Sequence, residues 1–484
     1  MSLVGMSMNN NAEYPGKPWN PSVSYPEYGF GDCIASTRND VYDMVRQCLH
    51  ALGLDEHNYA TPAWNPLGDY VKPGQTVVIK PNWVLHVNKG CAEDERGMDC
   101  LVTHPSIIRA ICDYCIIALK GEGRVIVGDA PVQDCDYDAL MDAMEYRELL
   151  AFYRGRGVSL VEFEDFRAYR TRVNKMRVIC DKRPNADGIE IDLGSLSAQR
   201  DDLDGHFVQV ANYDRRVTTA FHSQGKHVYS IARSALEADL IINLPKPKTH
   251  RLAGMTGAMK NLVGIACKKE TLPHRTSGDA ASGGDSYRSR SFVKRMADRG
   301  LNLKTYYERD GKTGRAAFTW LWAGFFCLLS KKFAPDPYLM GSWYGNDTIW
   351  RTVADLNYLM LYADKHGVLR DVTQRKILSV ADMIVAGQGE GPLRPSPKQA
   401  GVILASDDPC AMDRCICKIM GFDERRIPLL AAMRRGDTAM GEASDVDVCF
   451  GGGASKPLSA TTFSDEMRFA PHSAWSEVLE GPVR

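Results

Sequence analysis

The amino-acid sequence predicts an α/β fold: a mostly parallel sheet flanked by helices, with a second, smaller lobe and long insertions. Short apolar runs at 76–80, 124–129 and 158–163 are typical of strands. Segments with helical spacing at 103–120 and 137–153 separate these runs. Because strands and helices alternate along the chain, we expect right-handed crossovers and a parallel sheet.

The same alternation resumes in the second half of the chain and sets the expected domain boundaries. We predict further helices at 40–52, 230–238, 350–366 and 408–420, and further strands at 239–244, 377–385 and 401–405. Residues 1–35, rich in Pro, Asn, Tyr and Gly, should form an extended N-terminal arm. We predict one α/β unit at 36–435, with insertions at about 164–225 and 268–345, and a loosely patterned tail at 436–484.

The charge balance and the cysteines limit the class of protein. The sequence has 59 basic and 60 acidic residues, a net charge of -1, which argues against a general nucleic-acid binder. Its 14 cysteines are scattered, unlike those of short secreted disulfide scaffolds, so we expect free thiols in a reducing compartment. No signal-peptide pattern is visible at the N-terminus. We therefore predict a cytoplasmic protein.

The longest apolar run, 316–329, has Arg315 before it and Lys331 and Lys332 after it. The run is shorter than the ~20 residues that a membrane-spanning helix needs, so no transmembrane segment is predicted. We expect a buried helix here. An interfacial helix and a lid over the substrate remain open as alternatives.

Polar residues follow the predicted strands, where open α/β sheets bind their ligands. Lys246 and Lys248 flank Pro247, which favours an extended segment and points both lysines in the same general direction. Two ammonium groups beside the imidazole of His250 suit a carboxylate or a phosphate, and a lysine in a dry pocket can also lose its proton. The candidate residues at strand ends are Lys80, Asn82, Asp129, Lys246, Lys248, His250, Gly389, Glu390 and Asp408.

Two further segments supply candidate ligand contacts. Lys260 and Asn261 follow Gly254 and Gly257, and glycines let the backbone approach a ligand closely. His104 lies one residue past Thr103, the expected helix cap, where it could face an anion at the helix N-terminus. A solvated surface loop, a plain helix start and a structural histidine remain the alternatives.

Known cofactor motifs are absent from the sequence. The segment 387–392 has the wrong glycine spacing for a dinucleotide fingerprint, and 311–314 lacks the strand that precedes a P-loop. No cysteine spacing matches a zinc ribbon or an iron–sulfur cluster. His222, His227 and His250 with Asp129 would form a metal site only if the fold brought them together. The sequence therefore leaves the cofactor unknown, and a divalent metal remains open.

Taken in order, several of these segments resemble the family known as domain of unknown function 362. The segments that carry the resemblance are 79–82, 103–105, 127–131, 244–250, 259–264, 346–351, 387–392 and 407–421. The resemblance implies an α/β fold with one sheet and a second lobe, and no settled reaction. Some members look as if they carry a ferredoxin-like module or an export signal, and we expect neither here.

The preferred hypothesis is an enzyme that acts on a small anionic metabolite by acid–base chemistry. Its catalytic candidates are His104, Asp129, Lys246, His250 and Glu390, and its substrate-binding candidates are Lys80, Asn82, Lys248, Lys260, Asn261, Asp347, Arg351, Gly389 and Asp408. The alternative is a non-catalytic protein that binds an anion or cofactor or assembles with a partner. An iron–sulfur-linked redox protein is a third possibility. The expected partner is a small anion, with no nucleic acid.

Overall fold

The computed structural model describes residues 1–91, 96–174, 177–182, 188–203, 205–210, 213–451 and 453–480, and within 170–182 it describes the backbone alone. The helices are α1 (Asp40–Ala51), α2 (Pro105–Leu119), α3 (Tyr137–Ala143), α4 (Tyr146–Gly155), α5 (Arg215–Phe221), α6 (Arg233–Glu237), α7 (Ala258–Asn261), α8 (Phe292–Arg309), α9 (Thr313–Phe333), α10 (Ile349–Tyr362), α11 (Pro409–Ile419), α12 (Pro428–Arg435) and α13 (Ser476–Leu479). The strands are β1 (Ser2–Met8), β2 (Thr76–Pro81), β3 (Arg124–Asp129), β4 (Val161–Asp165), β5 (Tyr169–Asn174), β6 (Arg177–Lys182), β7 (Ile189–Asp192), β8 (Val208–Gln209), β9 (His222–Ser223), β10 (Lys226–Ile231), β11 (Leu240–Leu244), β12 (Lys248–His250), β13 (Gly254–Thr256), β14 (Arg275–Thr276), β15 (Lys376–Glu390), β16 (Arg394–Ser406), β17 (Val446–Phe450) and β18 (Lys456–Pro457).

One large mixed sheet organises the chain. Its strand order within the described residues is β18-β17-β1-β16-β15-β11-β2-β3-β4, and the short β12–β13 hairpin pairs with β15 beside this path. The neighbours β15, β11, β2, β3 and β4 are all parallel to one another. The predicted α/β class with a mostly parallel sheet is therefore confirmed.

The central strands are buried on both faces, which is why they read as continuous apolar runs. In β2, Val77 and Ile79 pack into the core that contains α1 and α2, whereas Val78 packs into the core that contains α6 and α10. This alternation follows from the opposite directions of successive side chains in a strand. The carboxyl ends of β2 and β3 and the segment after β11 then meet at one edge of the sheet.

Several predicted elements differ from the observed ones. The predicted helix at 137–153 is split into α3 and α4, because Glu145 has a left-handed backbone (φ 54°) that a continuous helix does not accept. The helix predicted at 230–238 begins only at Arg233, since residues up to Ile231 pair with β7 in strand β10. The insertion predicted at 268–345 contains the helical hairpin α8–α9.

The glycine-rich segment 387–392, predicted as a loop, lies mainly in strand β15. Gly387 pairs with Pro397 and Gly389 with Pro395 in a long antiparallel hairpin between β15 and β16. The turn that closes this hairpin contains the cis peptide Gly391–Pro392. The hydrogen bonds supplied by β16 thus continue the strand through residues that alone predict a turn.

Segments near both ends of the described chain contribute to the main sheet or its core. Strand β1, inside the predicted N-terminal arm, lies between β16 and β17 and is antiparallel to β16 and parallel to β17. Strand β17 and the fully buried Trp475 come from the segment predicted as a loose tail. The predicted arm and tail therefore contribute to the sheet and core.

Helix α9 contains the apolar run at 316–329, and its burial differs from the prediction. Phe318, Leu321 and Leu328 are each about two-thirds exposed, at 66%, 64% and 67%. The expected buried helix is therefore wrong, because its large side chains face away from the body of the protein. Among the described residues, no helix combines the length and apolar character needed to cross a bilayer.

Candidate functional site

Two buried ion pairs lie at the edge of the sheet where the parallel strands end. Lys80, in β2, has its Nζ atom 3.0 Å from Oδ1 of Asp129 at the end of β3. Lys246, after β11, has its Nζ atom 2.6 Å from Oδ2 of Asp382 inside β15. All four side chains are at most 6% exposed. The structure therefore brings together three of the predicted residues and adds Asp382, which the sequence analysis missed.

Asp382 connects Lys246 to two aromatic rings. Its Oδ1 atom accepts a hydrogen bond from the hydroxyl of Tyr14, and its Oδ2 atom accepts one of 2.9 Å from the backbone N–H of His104. Lys246 also donates to the Tyr14 hydroxyl, at 2.7 Å. The rings of Tyr14 and His104 are stacked, with centroids 3.9 Å apart. Burial, followed by the negative charge of Asp382, holds the pKa of Tyr14 well above 10.0.

Lys248 lies next to these pairs but has no carboxylate partner among the described residues. Its Nζ atom donates to Oδ1 of Asn82 and to the carbonyl of Lys246, both at 3.2 Å. Burial, followed by the positive charge of Lys246, lowers the pKa of Lys248 well below 10.5. A neutral amine at this position would therefore be able to accept a proton.

A chain of hydrogen-bonded asparagines orients the side-chain oxygen that accepts from Lys248. The side-chain amide of Asn82 donates to Oδ1 of Asn261 at 2.9 Å, and the amide of Asn261 donates to Oδ1 of Asn243 at 2.8 Å. Asn243 donates in turn to the carbonyl of Ala258 at the start of α7. Every oxygen in this chain accepts from a neighbouring nitrogen, which fixes the Asn82 oxygen toward Lys248.

Gly264 allows the segment after α7 to pack directly on the Lys80–Asp129 pair. A Cβ atom on Gly264 would lie 1.8 Å from Oδ1 of Asp129 and 2.5 Å from Cε of Lys80. The carbonyl of Gly264 also accepts a 2.8 Å hydrogen bond from the backbone N–H of Ala130. The backbone at this position therefore forms one wall of the site.

A second group of basic side chains adjoins the lysines, and we call it the histidine–arginine group. It comprises His250, Arg251, Lys260, His274 and His472. Burial, followed by the charges of Lys260, Arg251, His274 and His472, lowers the pKa of His250 well below 6.5. Burial, followed by the charge of Lys269, lowers the pKa of Lys260 to about 8.

Two cations of this group are unpaired. Within the described part of the chain, neither the guanidinium of Arg251 nor the ammonium of Lys260 has a hydrogen-bond or ion-pair partner, and both residues are only partly exposed. Burial, followed by the charges of Arg275 and Arg394, lowers the pKa of Arg251. The carboxylates described in this region therefore do not balance its positive charge.

Backbone contacts set the tautomers of the two predicted histidines. The Nδ1 atom of His250 accepts from the N–H groups of Leu252 and Ala253, at 3.0 and 3.2 Å. The Nδ1 atom of His104, itself the N-cap of α2, accepts from the N–H of Ser106. Each neutral ring therefore carries its proton on Nε2 and presents a hydrogen-bond donor. Thr103, the expected cap, instead accepts from Asn82 N–H with its hydroxyl.

Lys260 also lines a small cavity between α7, α10 and α12. The cavity walls include Met255, Trp350 and Leu430, together with the carboxyl group of Asp413. The space open to the centre of a water molecule is about 10 Å³, which is room for about one water. Burial raises the pKa of Asp413 to about 7. The cavity thus joins apolar side chains to the ammonium group of Lys260 and the carboxyl group of Asp413.

The remaining predicted residues make other contacts. Asp347 and Arg351 pair with each other at 2.8 Å at the start of α10. Asp408 caps α11 by accepting from the N–H groups of Cys410 and Ala411. No contact between these three residues and the buried lysines is found in the described part of the chain.

Glu390 and Gly389, also predicted, lie near the end of β15. Glu390 is exposed and has its Oε2 atom 3.0 Å from Nε2 of His472, a member of the histidine–arginine group. The carbonyl of Gly389 accepts a 2.8 Å hydrogen bond from the hydroxyl of Thr249. Glu390 therefore places its carboxylate at the rim of the group.

Sequence reasoning missed Tyr14, Asp382, Arg251, His274 and His472. Asp382 is the one signal that was visible, because a carboxylate inside the apolar run of β15 needs a buried partner. Arg251 directly follows His250, one residue beyond the strand-end segment 244–250. Tyr14 and His274 lie in irregular segments, and only the fold brings them to the site.

The metal site that the sequence left open does not assemble among the described residues. His222 and His227 lie together across β9 and β10, with ring centroids 5.7 Å apart. His250 and Asp129 have the separate partners given above. No group of three or more potential ligands from His, Cys, Asp and Glu is found within the described ranges.

Comparison with known proteins identifies a family whose description names no reaction. The family model described as "domain of unknown function (DUF362)" matches residues 77–189 and 197–418. A thylakoid-associated protein of Synechocystis sp. is 21% identical over 370 residues, which cover 76% of this chain and 70% of that protein. A crystal structure of a Thermotoga maritima protein is 9% identical with a TM-score of 0.30; the match covers 76% of this chain and 56% of that chain.

Proposed function

We propose, from the premise that this chain belongs to the family domain of unknown function 362, that it binds a small carboxylate or phosphate and acts on it by acid–base chemistry. The supporting observation is that Lys248, Arg251 and Lys260 have no carboxylate partner among the described residues, although Lys80 and Lys246 each have one. A cation held out of water without an anion is costly, and a bound anion removes that cost.

In this proposal the two buried ion pairs fix the geometry of the site. The cations without a partner among the described residues, Arg251 and Lys260, bind the ligand. Arg251 supplies a planar fork suited to a carboxylate or a phosphate, and Lys260 supplies a point charge. His250 donates from Nε2, because its Nδ1 atom is engaged by two backbone N–H groups. These three groups together favour an anionic ligand over a neutral or cationic one.

Lys248 is the group best suited to accept a proton in such a reaction. Burial, followed by the positive charge of neighbouring cations, lowers its pKa well below 10.5, which favours loss of its proton. Lys246 and Asp129 are held in ion pairs, which favours a positioning role for both. Glu390, at the rim beside His472, is the candidate for the second acid–base group.

A non-catalytic binding role is the second candidate, and burial favours it. Lys80, Lys246 and Lys248 are between 0% and 1% exposed, so an anion reaches these three only if a covering segment moves. A ligand bound in this way would exchange slowly, as a cofactor or structural anion does. Turnover of a bound substrate separates the two candidates, because the binding role predicts tight binding without a product.

A thermal-shift screen with phosphate, sulfate and small carboxylates tests the proposal. A ligand that binds the native state raises the melting temperature by mass action. We expect a rise with at least one anion in the wild type and its loss in Arg251→Leu and in Lys260→Met. Lys268→Met is the matched control, since Lys268 is a nearby lysine already paired with Glu190 at 2.6 Å. Equal shifts in all four proteins, or none with any anion, would refute the site.

The cellular location remains a prediction from the sequence, which favours the cytoplasm. The Synechocystis relative is named for its association with thylakoids, and that name describes the relative. We expect no nucleic-acid partner, because the net charge is -1.

A further inference from the structure

Helix α9 turns most of its large apolar side chains outward and its small ones inward, while Trp322 and Phe326 are partly buried. The inward residues are buried and small: Ala316, Thr319, Ala323 and Ser330. The outward residues are more than half exposed: Phe318, Trp320, Leu321, Phe325, Leu328 and Phe333. An ordinary surface helix turns its large apolar side chains toward the core. An exposed apolar face of this kind marks a surface that contacts a membrane or another molecule.

Packing against α8 holds α9 in this orientation. A Cβ atom on Gly300 of α8 would lie 3.0 Å from Cβ of Ala323, so the two helices approach closely through small residues. A rotation that buried Phe318 or Trp320 would place a large ring where only a methyl group fits. An ion pair from Asp298 of α8 to Arg275 of β14 attaches the hairpin to the body of the protein, and Lys294 of α8 pairs with Asp336 in the segment that follows α9.

The charges of α9 identify the kind of surface that covers it. The helix contains no acidic residue, and Arg315 near its start and Lys331 and Lys332 near its end have no acidic partner among the described residues. Two copies of α9 packed face to face would bring cations against cations in either direction. An anionic surface instead satisfies both ends of the helix, which disfavours a second copy of the chain as the occupant.

We propose that α9 is an interfacial helix that binds the surface of a bilayer containing anionic lipid. Its 21 residues extend for about 30 Å, and it lies along the bilayer plane. Its aromatic and leucine side chains enter the boundary between headgroups and acyl chains, which suits Trp and Phe. Arg315, Lys331 and Lys332 contact lipid phosphates. This surface is separate from the proposed anion site and does not depend on it.

Co-sedimentation of the full chain with lipid vesicles tests the proposal. We expect binding to equimolar phosphatidylcholine and phosphatidylglycerol, and weaker binding to phosphatidylcholine alone. Phe318→Ser/Leu321→Ser/Phe325→Ser should reduce the partition coefficient at least about tenfold, because three buried apolar groups are lost. Lys331→Glu/Lys332→Glu should abolish the preference for phosphatidylglycerol. Val368→Ser/Val372→Ser, which alters exposed apolar residues outside the hairpin, should bind as the wild type does.

A fluorescence measurement on the same vesicles locates the contact. Trp320 is 59% exposed, so its emission should shift to shorter wavelength on binding, and Trp320→Phe should lose this change while it still sediments. Circular dichroism should show each variant folded, since the altered residues lie on the surface. The proposal would be overturned if the wild type bound neither kind of vesicle. It would also be overturned if the triple variant bound as strongly as the wild type. So would a dimer in solution that the triple variant abolishes, because a second copy would then cover α9.

Discussion

Lys246 and Asp382 form an ion pair of 2.6 Å in which neither side chain is exposed to solvent. The lysine follows β11 and the aspartate lies inside the neighbouring parallel strand β15. The pair therefore joins two strands at the edge where the candidate site lies. Tyr14 and the backbone of His104 complete the hydrogen bonds of the carboxylate, so all of its buried oxygens are satisfied.

Removing one member of this pair should be costly. We expect Asp382→Asn to lower the free energy of unfolding by about 3–5 kcal/mol, because the Lys246 ammonium is then buried without a counter-charge. Urea unfolding followed by circular dichroism measures the loss. Arg147→Gln breaks exposed pairs with Asp138 and Asp142 and should leave the midpoint unchanged. Similar midpoints for the two variants would contradict this account.

Lys260 should make stability depend on pH in the alkaline range. Its pKa is lowered to about 8 in the folded protein from a reference of 10.5. Between these values the unfolded chain holds a proton that the folded chain has lost, so the free energy of unfolding rises with pH there. Lys260→Met should reduce this rise and be more stable than the wild type at pH 7. Lys269, whose pKa is also about 8, should preserve part of the slope. Thermal melts at intervals between pH 7 and 10.5 measure it, and identical slopes would argue against a lowered pKa for Lys260.

Anion affinity should fall as the pH rises through about 8. Lys260 loses its proton there, and a neutral amine no longer attracts the ligand. Titration calorimetry with whichever anion gives the thermal shift measures this between pH 7 and 9. Lys260→Met should bind more weakly at pH 7 and show a flatter profile, whereas Lys268→Met should follow the wild type. An affinity independent of pH in the wild type would remove Lys260 from the site.

Two glycine-to-alanine changes should have opposite effects. Gly264→Ala places a methyl group 1.8 Å from Oδ1 of Asp129, so we expect a loss of at least about 1–3 kcal/mol from overpacking. Gly324→Ala, on α9, meets no atom within 4 Å and should stabilise by about 0.5–1 kcal/mol through helix propensity. Denaturant unfolding of both variants provides the comparison. Equal and small effects of the two changes would show that Gly264 packs less closely on the Lys80–Asp129 pair than the 1.8 Å approach indicates.

A carboxylate placed beside Lys248 should compete with the ligand. Asn82→Asp puts a negative charge where the Asn82 oxygen now lies 3.2 Å from the lysine Nζ atom. The new charge should raise the pKa of Lys248 and weaken anion binding, because the added carboxylate repels an anionic ligand. The thermal-shift assay reports the binding loss, and Asn82→Gln serves as the uncharged control. Undiminished binding in Asn82→Asp would place the ligand away from Lys248.

The sequence predicts the site best where a reactive polar side chain lies at the end of a parallel strand. Lys80 and Asp129 lie at the carboxyl ends of the neighbouring parallel strands β2 and β3, so their proximity could be expected from topology alone. Asp382 lies inside a strand, where its signal is a charge within an apolar run, but the sequence does not show which residue pairs with it. Tyr14 lies in a segment predicted to be an arm and carries no local signal. Asp347 and Arg351 form a local pair instead, because an i,i+4 spacing on α10 satisfies both within the helix. Long-range pairing, which one sequence does not display, decided the positions of Asp382 and Tyr14.

Orientation of an element was harder to predict than its existence. Helix α9 was expected from its apolar run, but composition does not say which side faces inward. The small residues facing Gly300 settle that choice, and their complementarity is visible only after α8 and α9 are placed together. The glycine-rich end of β15 shows the same limit, since its pairing with β16 overrides the local turn preference.

Strand β1 has a consequence for how the protein is made. Gly5 pairs with Ala405 in β16 and with Cys449 in β17, so β1 leaves the ribosome several hundred residues before either partner. At roughly 5–20 residues per second, it waits about 20 s or longer with its edges unpaired. Closure of this side of the sheet is therefore a late event in biosynthesis. A nascent chain stalled before residue 402 should leave β1 open to chaperones or proteases.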